Sequence, residues 1–488
     1  MEFLKRSAIA LSLITLALGT QAQVEKPSDN PAADLPQLGN TGTLVTSLEE
    51  EYTLGKQIVR QFRGQAPLVS DPLVIDYMNS LAFYILRHSE VEDRRITLLV
   101  FDLPVINAFA APGGIIGMYS GMIQFMENEG QIASILAHEF AHLSQRHYAR
   151  NVEYNASRTW RNLLLGLGSV LVAVSSSGDT GIAALTAAAS TIAADRLSFS
   201  RENEREADQI GSQTLINAKI DPDHVAQAFE QMQKANNDAP PEYLLTHPLP
   251  TSRVNEARLR ARQSESFPAR DDLGFQIIRA RLQLASSGPQ AKRDGLFANW
   301  RELSPNSNRY AAAYARALLL AELGEAEEAR RLIRWVRKRV PDRISVLYAE
   351  AEVEVLLNKP ERALALLKSA LDRNPRNLPL LWLNARAHKI AEDATAALRT
   401  LELMAHIDPT QIHVWYQLAE LHGLAGNIAQ VHKSRAEFFY LTGRDQQALD
   451  HLEYALELAR HNFTEAERIR ERMQEISGEG GVRRRRGG

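Results

Sequence analysis

The pattern of hydrophobic and polar positions changes character several times along this chain of 488 residues. From residue 48 to residue 87, apolar residues recur intermittently at helical spacing, and a β-prone run follows at residues 96–101. A Gly-Gly turn at residues 113–114 precedes a second β-prone run at residues 115–119. These patterns predict helices followed by two short strands of a small sheet.

Two apolar segments stand out further along, at residues 163–175 and 182–194, with Asp179 as the one charge in the region. Each arm would be about 20 Å long as a helix, against a bilayer core of about 30 Å. The pattern therefore predicts a helical hairpin that does not span a membrane. We expect it to act as a lid over a cleft, or as a surface that contacts another protein or a membrane.

Beyond residue 270 the chain becomes rich in Ala, Leu, Arg and Glu, and its pattern repeats every 34 residues. Four kinds of position keep this period: the aromatic residues Tyr314, Tyr348, Trp382 and Tyr416, the small residues Ala317, Ala351, Ala385 and Ala419, the second-helix residues Ala329, Ala363 and Ala397, and the prolines Pro341, Pro375 and Pro409. This period predicts tetratricopeptide repeats, in which alanine lets paired helices approach and the aromatic ring fills the adjacent gap. The flanking stretches, 270–305 and 430–475, fit less well, as capping repeats should. A repeat solenoid indicates a surface that binds a partner or client.

The N-terminus predicts the compartment, because Lys5 and Arg6 precede an apolar run and Thr20-Gln21-Ala22 forms a small-x-small cleavage pattern. We expect residues 1–22 to be a removed signal peptide, with an uncleaved anchor as the alternative. The chain has no cysteine, which excludes a lipoprotein anchor, disulfides and thiolate metal ligands. These features indicate the periplasm, although secretion stays open.

Composition adds limits on function. A hydrophobic content of 45% supports sizeable cores, and the length predicts two or three domains. A net charge of −3 without a basic stripe argues against binding of nucleic acid. The one charge cluster, Arg483 to Arg486, lies in a Gly-bracketed tail that we predict to be disordered, with a weak contact to anionic lipid or a partner as its candidate role.

The candidate chemistry starts at the pentapeptide His138-Glu139-Phe140-Ala141-His142. Side chains at i and i+4 share one face of a helix, so both imidazoles can bind one Zn²⁺ while Glu139 projects toward the water beside it. This is the spacing of zinc proteases. It predicts hydrolysis, in which Glu139 takes a proton from the water and passes it to the leaving amine.

A third metal ligand is expected about sixty residues later, in a polar helix-prone segment at residues 198–208. Glu204 and Asp208 are four residues apart, so one carboxylate can bind the metal while the other accepts a ring N–H from a ligating histidine. By spacing alone, Glu202, Glu204 and Glu206 compete for the role of ligand. A solvated acidic helix face is the alternative interpretation.

With these motifs the chain resembles the gluzincin peptidases, which include the CAAX-prenyl endopeptidases and the heat-shock membrane protease. Their second motif ends in Glu-x-x-Ala-Asp, so the resemblance implies that Glu204 is the third zinc ligand and that Asp208 is the supporting carboxylate. Residues 107–119 and 246–253 match as well. Periplasmic members with helical repeats imply degradation of misfolded or stalled outer-membrane proteins, help in barrel assembly, and contact between the repeats and the assembly machinery.

The resemblance also implies a substrate site. In the family, the strand after the Gly-Gly turn is an edge strand that hydrogen-bonds an extended substrate through its main chain. Carried over here, the substrate-binding residues are Asn107 and the strand residues Ile115, Ile116, Gly117, Met118 and Tyr119. Plain core strands are the alternative.

Two further residues have open roles. His247 precedes a proline in a loop and is either structural, a donor to the oxyanion of the reaction, or a reversible plug in the fourth zinc position. Arg253 either pairs with a substrate carboxylate or braces the loop, and bracing is favoured.

The predicted fold is α+β and mostly α. Its domains are a linker at 23–45, a zinc metallopeptidase domain at 46–265, an all-α repeat domain at 270–476 and the tail at 477–488. The competing function is a non-proteolytic chaperone or assembly scaffold in which zinc only braces the fold. A structural zinc would not require Glu139, whereas a closed four-ligand site that includes His247 would support this alternative.

Overall fold

The computed structural model describes residues 47–147, 200–235, 241–268, 270–288 and 295–485. The predicted signal peptide, the linker as far as residue 45 and the apolar hairpin at 163–194 lie outside these residues. Among the helices that are described, none is both long and apolar enough to cross a membrane.

Two helices open the described part of the chain, α1 at Leu48–Gln65 and α2 at Pro72–Leu86. The Ser47 side chain accepts a hydrogen bond from the backbone of Glu50, whose own side chain reaches back to the Ser47 N–H, which is a complete capping box. Asp71 caps α2 in a similar way, ahead of a proline in its first turn. Local sequence therefore defines where both helices start.

A sheet of three strands follows, with β1 at Thr97–Phe101, β2 at Ala108–Ala111 and β3 at Ile115–Tyr119. The order is β1-β3-β2, with β1 parallel and β2 antiparallel to β3. On one face, Leu98 and Val100 join the core formed with α2, and on the other, Leu99 and Phe101 pack against α1. The sheet thus lies between two helical layers.

This topology corrects the predicted substrate strand. β3 is the central strand and is hydrogen-bonded on both sides, so the prediction that Ile115–Tyr119 is an edge strand is wrong. The sequence analysis also missed β2. Gly113 and Gly114 both have positive φ, which permits the tight reversal that folds β2 back onto β3.

Six more helices are described in the N-terminal half: α3 at Ser120–Phe125, α4 at Glu129–Ser144, α5 at Arg201–Asn217, α6 at Asp223–Ala235, α7 at Glu242–Thr246 and α8 at Thr251–Gln263. α4 is the central one, and nearly all of its residues are buried. It packs against α5, α6, α2 and β2. A helix that is buried on all sides holds its side chains in fixed rotamers, which suits a catalytic element.

The C-terminal half consists of helices: α9 at Leu273–Ser286, α10 at Asn306–Glu322, α11 at Ala326–Arg339, α12 at Ile344–Leu356, α13 at Pro360–Arg373, α14 at Leu378–Ile390, α15 at Ala394–Ile407, α16 at Ile412–Leu424, α17 at Ile428–Leu441, α18 at Asp445–Leu458 and α19 at Phe463–Arg485. The starts of α12, α14 and α16 keep the 34-residue period, as do those of α11, α13, α15 and α17. The predicted fold class, a metallopeptidase-type domain with a small sheet followed by helical repeats, is confirmed.

The two halves share one hydrophobic core. Val74 and Met78 of α2 belong to the same buried cluster as Tyr348 of α12 and Leu380 of α14. The predicted boundary near residues 265–270 is therefore a change of architecture along the chain, and the cores on its two sides are continuous.

A buried ion cluster reinforces this junction. The Arg281 guanidinium on α9 donates to Asp71 at 2.7 Å, to the Tyr314 hydroxyl at 2.8 Å and to both oxygens of Glu352 at 2.7 and 3.2 Å. One side chain thus joins the cap of α2 to helices of the first two repeats.

The last helix, α19, continues through part of the predicted tail, as far as Arg485.

Candidate metal centre

The helix α4 brings His138 and His142 to the centre of the fold, where both imidazoles are buried. Their Nε2 atoms lie 3.0 Å apart. The spacing of four residues places both rings on the same face of α4, and the packed neighbours of this helix fix their orientation. The pair can therefore bind a single ion.

The third group comes from α5, which crosses close to α4. Gly211 of α5 sits against the backbone of α4, and a Cβ atom at this position would lie 3.2 Å from the His138 nitrogen. This approach brings the Glu204 carboxylate 3.3 Å from His142 Nε2 and 3.5 Å from His138 Nε2. Glu202 is instead exposed, and Glu206 contacts His147.

His247 is the fourth group in this cluster. It caps the C-terminus of α7, and its ring stacks on Tyr243 with the ring centres 4.4 Å apart. Its Nδ1 atom lies 3.3 Å from His138 Nε2 and 3.0 Å from Glu204 Oε1. The loop histidine is thus buried inside the site and is not merely an exposed loop residue.

These four side chains fit a metal ion. One donor atom from each lies within 4.8 Å of the others, and all four residues are buried. Ligands about 2.1 Å from a tetrahedral zinc ion are roughly 3.4 Å apart, and the donor-atom separations of 3.0 to 3.5 Å in this cluster fall around that value. Three imidazoles and one carboxylate form a donor set that suits a divalent transition metal.

Glu139 lies beside this cluster and is fully buried. Its Oε1 accepts a hydrogen bond of 3.1 Å from the Tyr243 hydroxyl, while its Oε2 has no hydrogen-bond partner among the residues described. A buried carboxylate oxygen without a partner is costly unless another group binds it. One oxygen is therefore held in place, and the other is available to a water molecule or a substrate.

The supporting carboxylate is paired to an arginine. Asp208 lies 3.1 Å from His138 Nδ1, and Arg253 donates to its two oxygens at 2.7 and 2.8 Å. Arg253 also contacts Glu204 at 2.6 Å and the carbonyl of Pro248 at 2.6 Å. The arginine is buried in these contacts, and its side chain braces the loop that carries His247, which is the role favoured above over substrate binding.

Sequence reasoning missed a second supporting chain. His147 Nδ1 lies 2.9 Å from His142 Nδ1, and His147 Nε2 lies 3.0 Å from Glu206 Oε2. The pair of Glu206 and His147 thus orients His142, the second candidate metal ligand, through the Nδ1 side of its ring. The available signal was a third histidine five residues after His142. Tyr243 was also missed, since a tyrosine in a short helix has no distinctive spacing.

Burial and neighbouring charges shift the pKa values of several groups in this cluster. Burial lowers the pKa of His138, but Asp208 and Glu204 outweigh that effect and raise its pKa to about 9. Burial raises the pKa of Glu204, yet the surrounding histidines hold it well below its usual range. Burial and the charge of Glu139 raise the pKa of Tyr243 well above its usual value, so its hydroxyl stays a donor.

The remaining predicted residues lie to one side of the cluster. The carbonyl of Asn107 accepts from the N–H of Tyr119, and all five residues of β3 are buried inside the sheet. On the outer edge of β2, the Ile106 carbonyl accepts from the Tyr243 N–H at 3.1 Å. The strand edge that adjoins the site is therefore that of β2.

Comparison with known protein families gives two matches. The model described as Peptidase family M48 matches residues 74–261, and a Tetratricopeptide repeat model matches residues 355–421. The first range contains the whole metal cluster, and the second lies within the helical repeats.

Several known proteins are similar to this chain. The "Beta-barrel assembly-enhancing protease" of Escherichia coli (strain K12) is 35% identical over 336 residues, which are 68% of this chain and 67% of that protein. The protein of the same name from Yersinia pestis is 31% identical over 346 residues, 70% of each chain. The "Mitochondrial metalloendopeptidase OMA1" of Saccharomyces cerevisiae is 36% identical over 157 residues, 30% of this chain and 41% of that protein.

Proposed function

Since this chain belongs to peptidase family M48, we propose that it is a zinc endopeptidase of the bacterial periplasm that degrades misfolded or stalled outer-membrane proteins and assists barrel assembly. The family makes it a metalloprotease. The compartment, the identity of the metal and the clients are the parts proposed here. The signal-like N-terminus supports the compartment, and the names of the relatives support the clients.

One observation carries the proposal: three ligand groups converge next to a buried glutamate with one oxygen unpaired. His138, His142 and Glu204 supply the ligands, and Glu139 supplies the base. An ion that only braced the fold would not need this carboxylate. Zinc is favoured because its catalytic sites use histidine and glutamate together.

The residues of this chain have separate tasks in the reaction. Zinc, when bound, acts as a Lewis acid that polarises the scissile carbonyl and makes water a better nucleophile. Glu139 takes a proton from the attacking water and delivers it to the leaving amine. Tyr243 holds the Glu139 carboxylate in place through its hydroxyl, and Asp208 keeps the Nδ1 side of His138 fixed.

His247 supports a latent resting state. Its Nδ1 lies among the ligand atoms, where a fourth ligand would sit, so the loop occupies the position that water or substrate needs. The oxyanion-donor alternative requires the ring to leave this position. Opening of the loop at residues 246–250 would then activate the protease.

Substrate binding is proposed on the outer edge of β2 in place of β3. The backbone groups of Ala108 and Ala110 point away from β3, because Phe109 and Ala111 share the hydrogen-bonding register that joins Asn107 to Tyr119. An extended substrate can pair with this edge regardless of its side chains. The repeats provide a second surface for clients or for the assembly machinery.

The experiment that tests this function is proteolysis of an unfolded outer-membrane barrel protein by the purified mature chain. Glu139→Gln and a chelator-treated sample serve as controls, and zinc content is measured in each. We expect cleavage by the wild type and none in either control. Cleavage that persists in Glu139→Gln would contradict the assigned base.

The same assay on His247→Ala separates the two roles of this histidine. A plug predicts faster basal cleavage by the variant, whereas an oxyanion donor predicts a lower kcat. A wild type that binds client and zinc without cleaving it, together with an active His247→Ala, would establish latency. Inactivity of both proteins would favour the scaffold function.

A further inference from the structure

A cavity of about 680 Å³ lies on the side of the sheet opposite to β2, between the catalytic half and the repeats. It is lined by residues of α1, α2, β1, α14, α16 and α17, and by the turn before α16. None of the metal-centre residues lines it, so it is separate from the site described above.

The free edge of β1 forms the floor of this cavity. The Thr97 N–H donates to the Gly114 carbonyl at 2.8 Å, so Thr97 and Leu99 direct their backbone groups toward β3, while Leu98 and Val100 direct theirs outward. The outward carbonyl of Val100 accepts from the Val69 N–H at 2.9 Å, so the backbone at this end of the β1 edge already has a partner.

Leu98 is different, since its backbone N–H and C=O have no hydrogen-bond partner among the described residues. Leu98 is also largely buried, at 9% exposure. Buried backbone groups are nearly always paired, because an unpaired one costs roughly 1–3 kcal/mol. An open strand edge that faces a cavity is therefore a place where a further strand can add.

The walls suit a polypeptide of extended shape. α1 covers one face of the sheet and α2 the other, so their side chains, including Val59 and Phe83, stand on either side of the open edge. Trp382 and Ile412 of the repeats line the cavity as well. Alternate side chains of an added strand would point toward these two walls.

One cation in the cavity has no counter-charge in contact with it. Arg63 lines the cavity and forms no hydrogen bond or ion pair with a described residue. Burial lowers its pKa, while Asp408 has the opposite but smaller effect. The oxygens of Asp408 instead accept from Thr410 and Gln411. An acidic side chain of a ligand would complete the pairing of Arg63.

We propose that this cavity binds an extended, acidic segment of a client polypeptide, which adds as a short strand to β1 opposite Leu98 and places a carboxylate on Arg63. The site holds a client next to the protease without exposing it to Glu139. The identity of the occupant, a client polypeptide, rests on the proposed function. Binding in this cavity requires no hydrolysis, so a loss of peptide binding and a loss of proteolysis are separate results.

The test uses the full chain with Glu139→Gln, so that no peptide is cleaved. The probe is a fluorescein-labelled peptide, Val-Thr-Val-Asp-Val-Thr-Val-Thr. Two matched control peptides carry N-methyl groups on alternate residues, one on the odd-numbered positions and the other on the even-numbered positions. We expect one of the two N-methylated peptides to bind at least about tenfold more weakly than the probe, because it loses the backbone donors that pair with β1. Equal binding of all three peptides would overturn strand addition.

Charge reversal tests the cation. Arg63→Glu should weaken binding of the Asp peptide, and the peptide with Lys in place of Asp should bind Arg63→Glu better than it binds the parent protein. A loss of binding without this rescue would remove Arg63 from the proposal. Arg331→Glu, a reversal on a surface arginine of α11 with a side chain 77% exposed, is the matched control and should change neither affinity.

The absence of native cysteines allows the location to be tested directly. Asn79→Cys lines the cavity and should form a disulfide with a peptide that carries a thiol, whereas Arg331→Cys should not. Equal trapping at both positions would contradict the site. Binding only after removal of residues 23–46 would mean that the chain's own N-terminal segment is the occupant, and the client proposal would be wrong.

Discussion

Arg253 illustrates how a residue that is not among the candidate ligands can hold the candidate metal centre in place. It neutralises Asp208 and contacts Glu204, two carboxylates that would otherwise be buried next to each other. Two buried carboxylates close together resist ionisation unless a cation compensates them. The orientation of His138 and the charge of Glu204 therefore both depend on this arginine.

We expect Arg253→Leu to lower the free energy of unfolding by about 3–5 kcal/mol, because it leaves two buried charges without their partner. Chemical denaturation of the metal-free protein measures this effect. Arg258→Leu is the control on the same helix, because its partnership with Glu230 is on the surface, and it should leave stability nearly unchanged. Similar destabilisation by both variants would show that the ion pair itself is unimportant.

His147 acts on the other ligand. It bridges His142 to Glu206, so its loss frees the second imidazole to rotate. We expect His147→Ala to weaken zinc binding by about 10–100-fold, and Glu206→Gln to weaken it less. Titration against a chelator of known affinity measures both. His461→Ala, which changes an exposed histidine of the last repeats, should bind zinc normally, and a normal affinity in His147→Ala would contradict the supporting role.

At the scale of elements, the turn between β2 and β3 determines which strand edge is available. Gly113 has a φ of 83°, and a Cβ atom there would collide with the carbonyl oxygen of Glu51 and lie 2.8 Å from the Cα atom of Gly55. The turn between β2 and β3 therefore packs directly against α1. Any other residue at this position would push the hairpin away from that helix.

Gly113→Ala should lower the melting temperature of the protein more than Gly324→Ala does. Gly324 has nearly the same φ, 81°, but a Cβ atom there would meet nothing within 4 Å. Gly324→Ala therefore measures backbone strain alone, roughly 1–2 kcal/mol, and the excess in Gly113→Ala measures the collision with α1. Equal shifts by calorimetry would mean that the hairpin is not packed as tightly as described.

At the scale of the whole molecule, the repeats are part of the enzyme's structure. The cluster that contains Val74 and Met78 of the catalytic half also contains Tyr348 and Leu380 of the repeats. Arg60 on α1 donates to the Tyr440 carbonyl at 2.6 Å, which adds a second junction at α17. The cavity proposed to bind a client lies between these two junctions.

We expect a fragment of residues 46–265 to lack a cooperative unfolding transition, because separation from the repeats would expose the apolar residues of α2 to water. Thermal unfolding followed by near-UV circular dichroism measures this, with the chain from residue 46 to 488 as the control. A sharp transition in the fragment, at a temperature close to that of the longer chain, would contradict a shared core.

The sequence by itself determined the features that depend on local geometry. A spacing of four residues places His138 and His142 on one helix face, and a 34-residue period predicts paired repeat helices. These features follow from the backbone geometry of a single element, so they can be read without knowing what packs against it.

Only the tertiary structure decided the features that depend on contacts between distant segments. The close crossing at Gly211 brings Glu204 to the imidazoles, the loop after α7 adds His247, and the pairing of β2 turns β3 into a central strand. Spacing along the chain leaves such choices open, because several residues on one helix face are equally near in sequence. Packing selects one of these residues, because a given helix crossing or strand register places only that side chain within bonding distance.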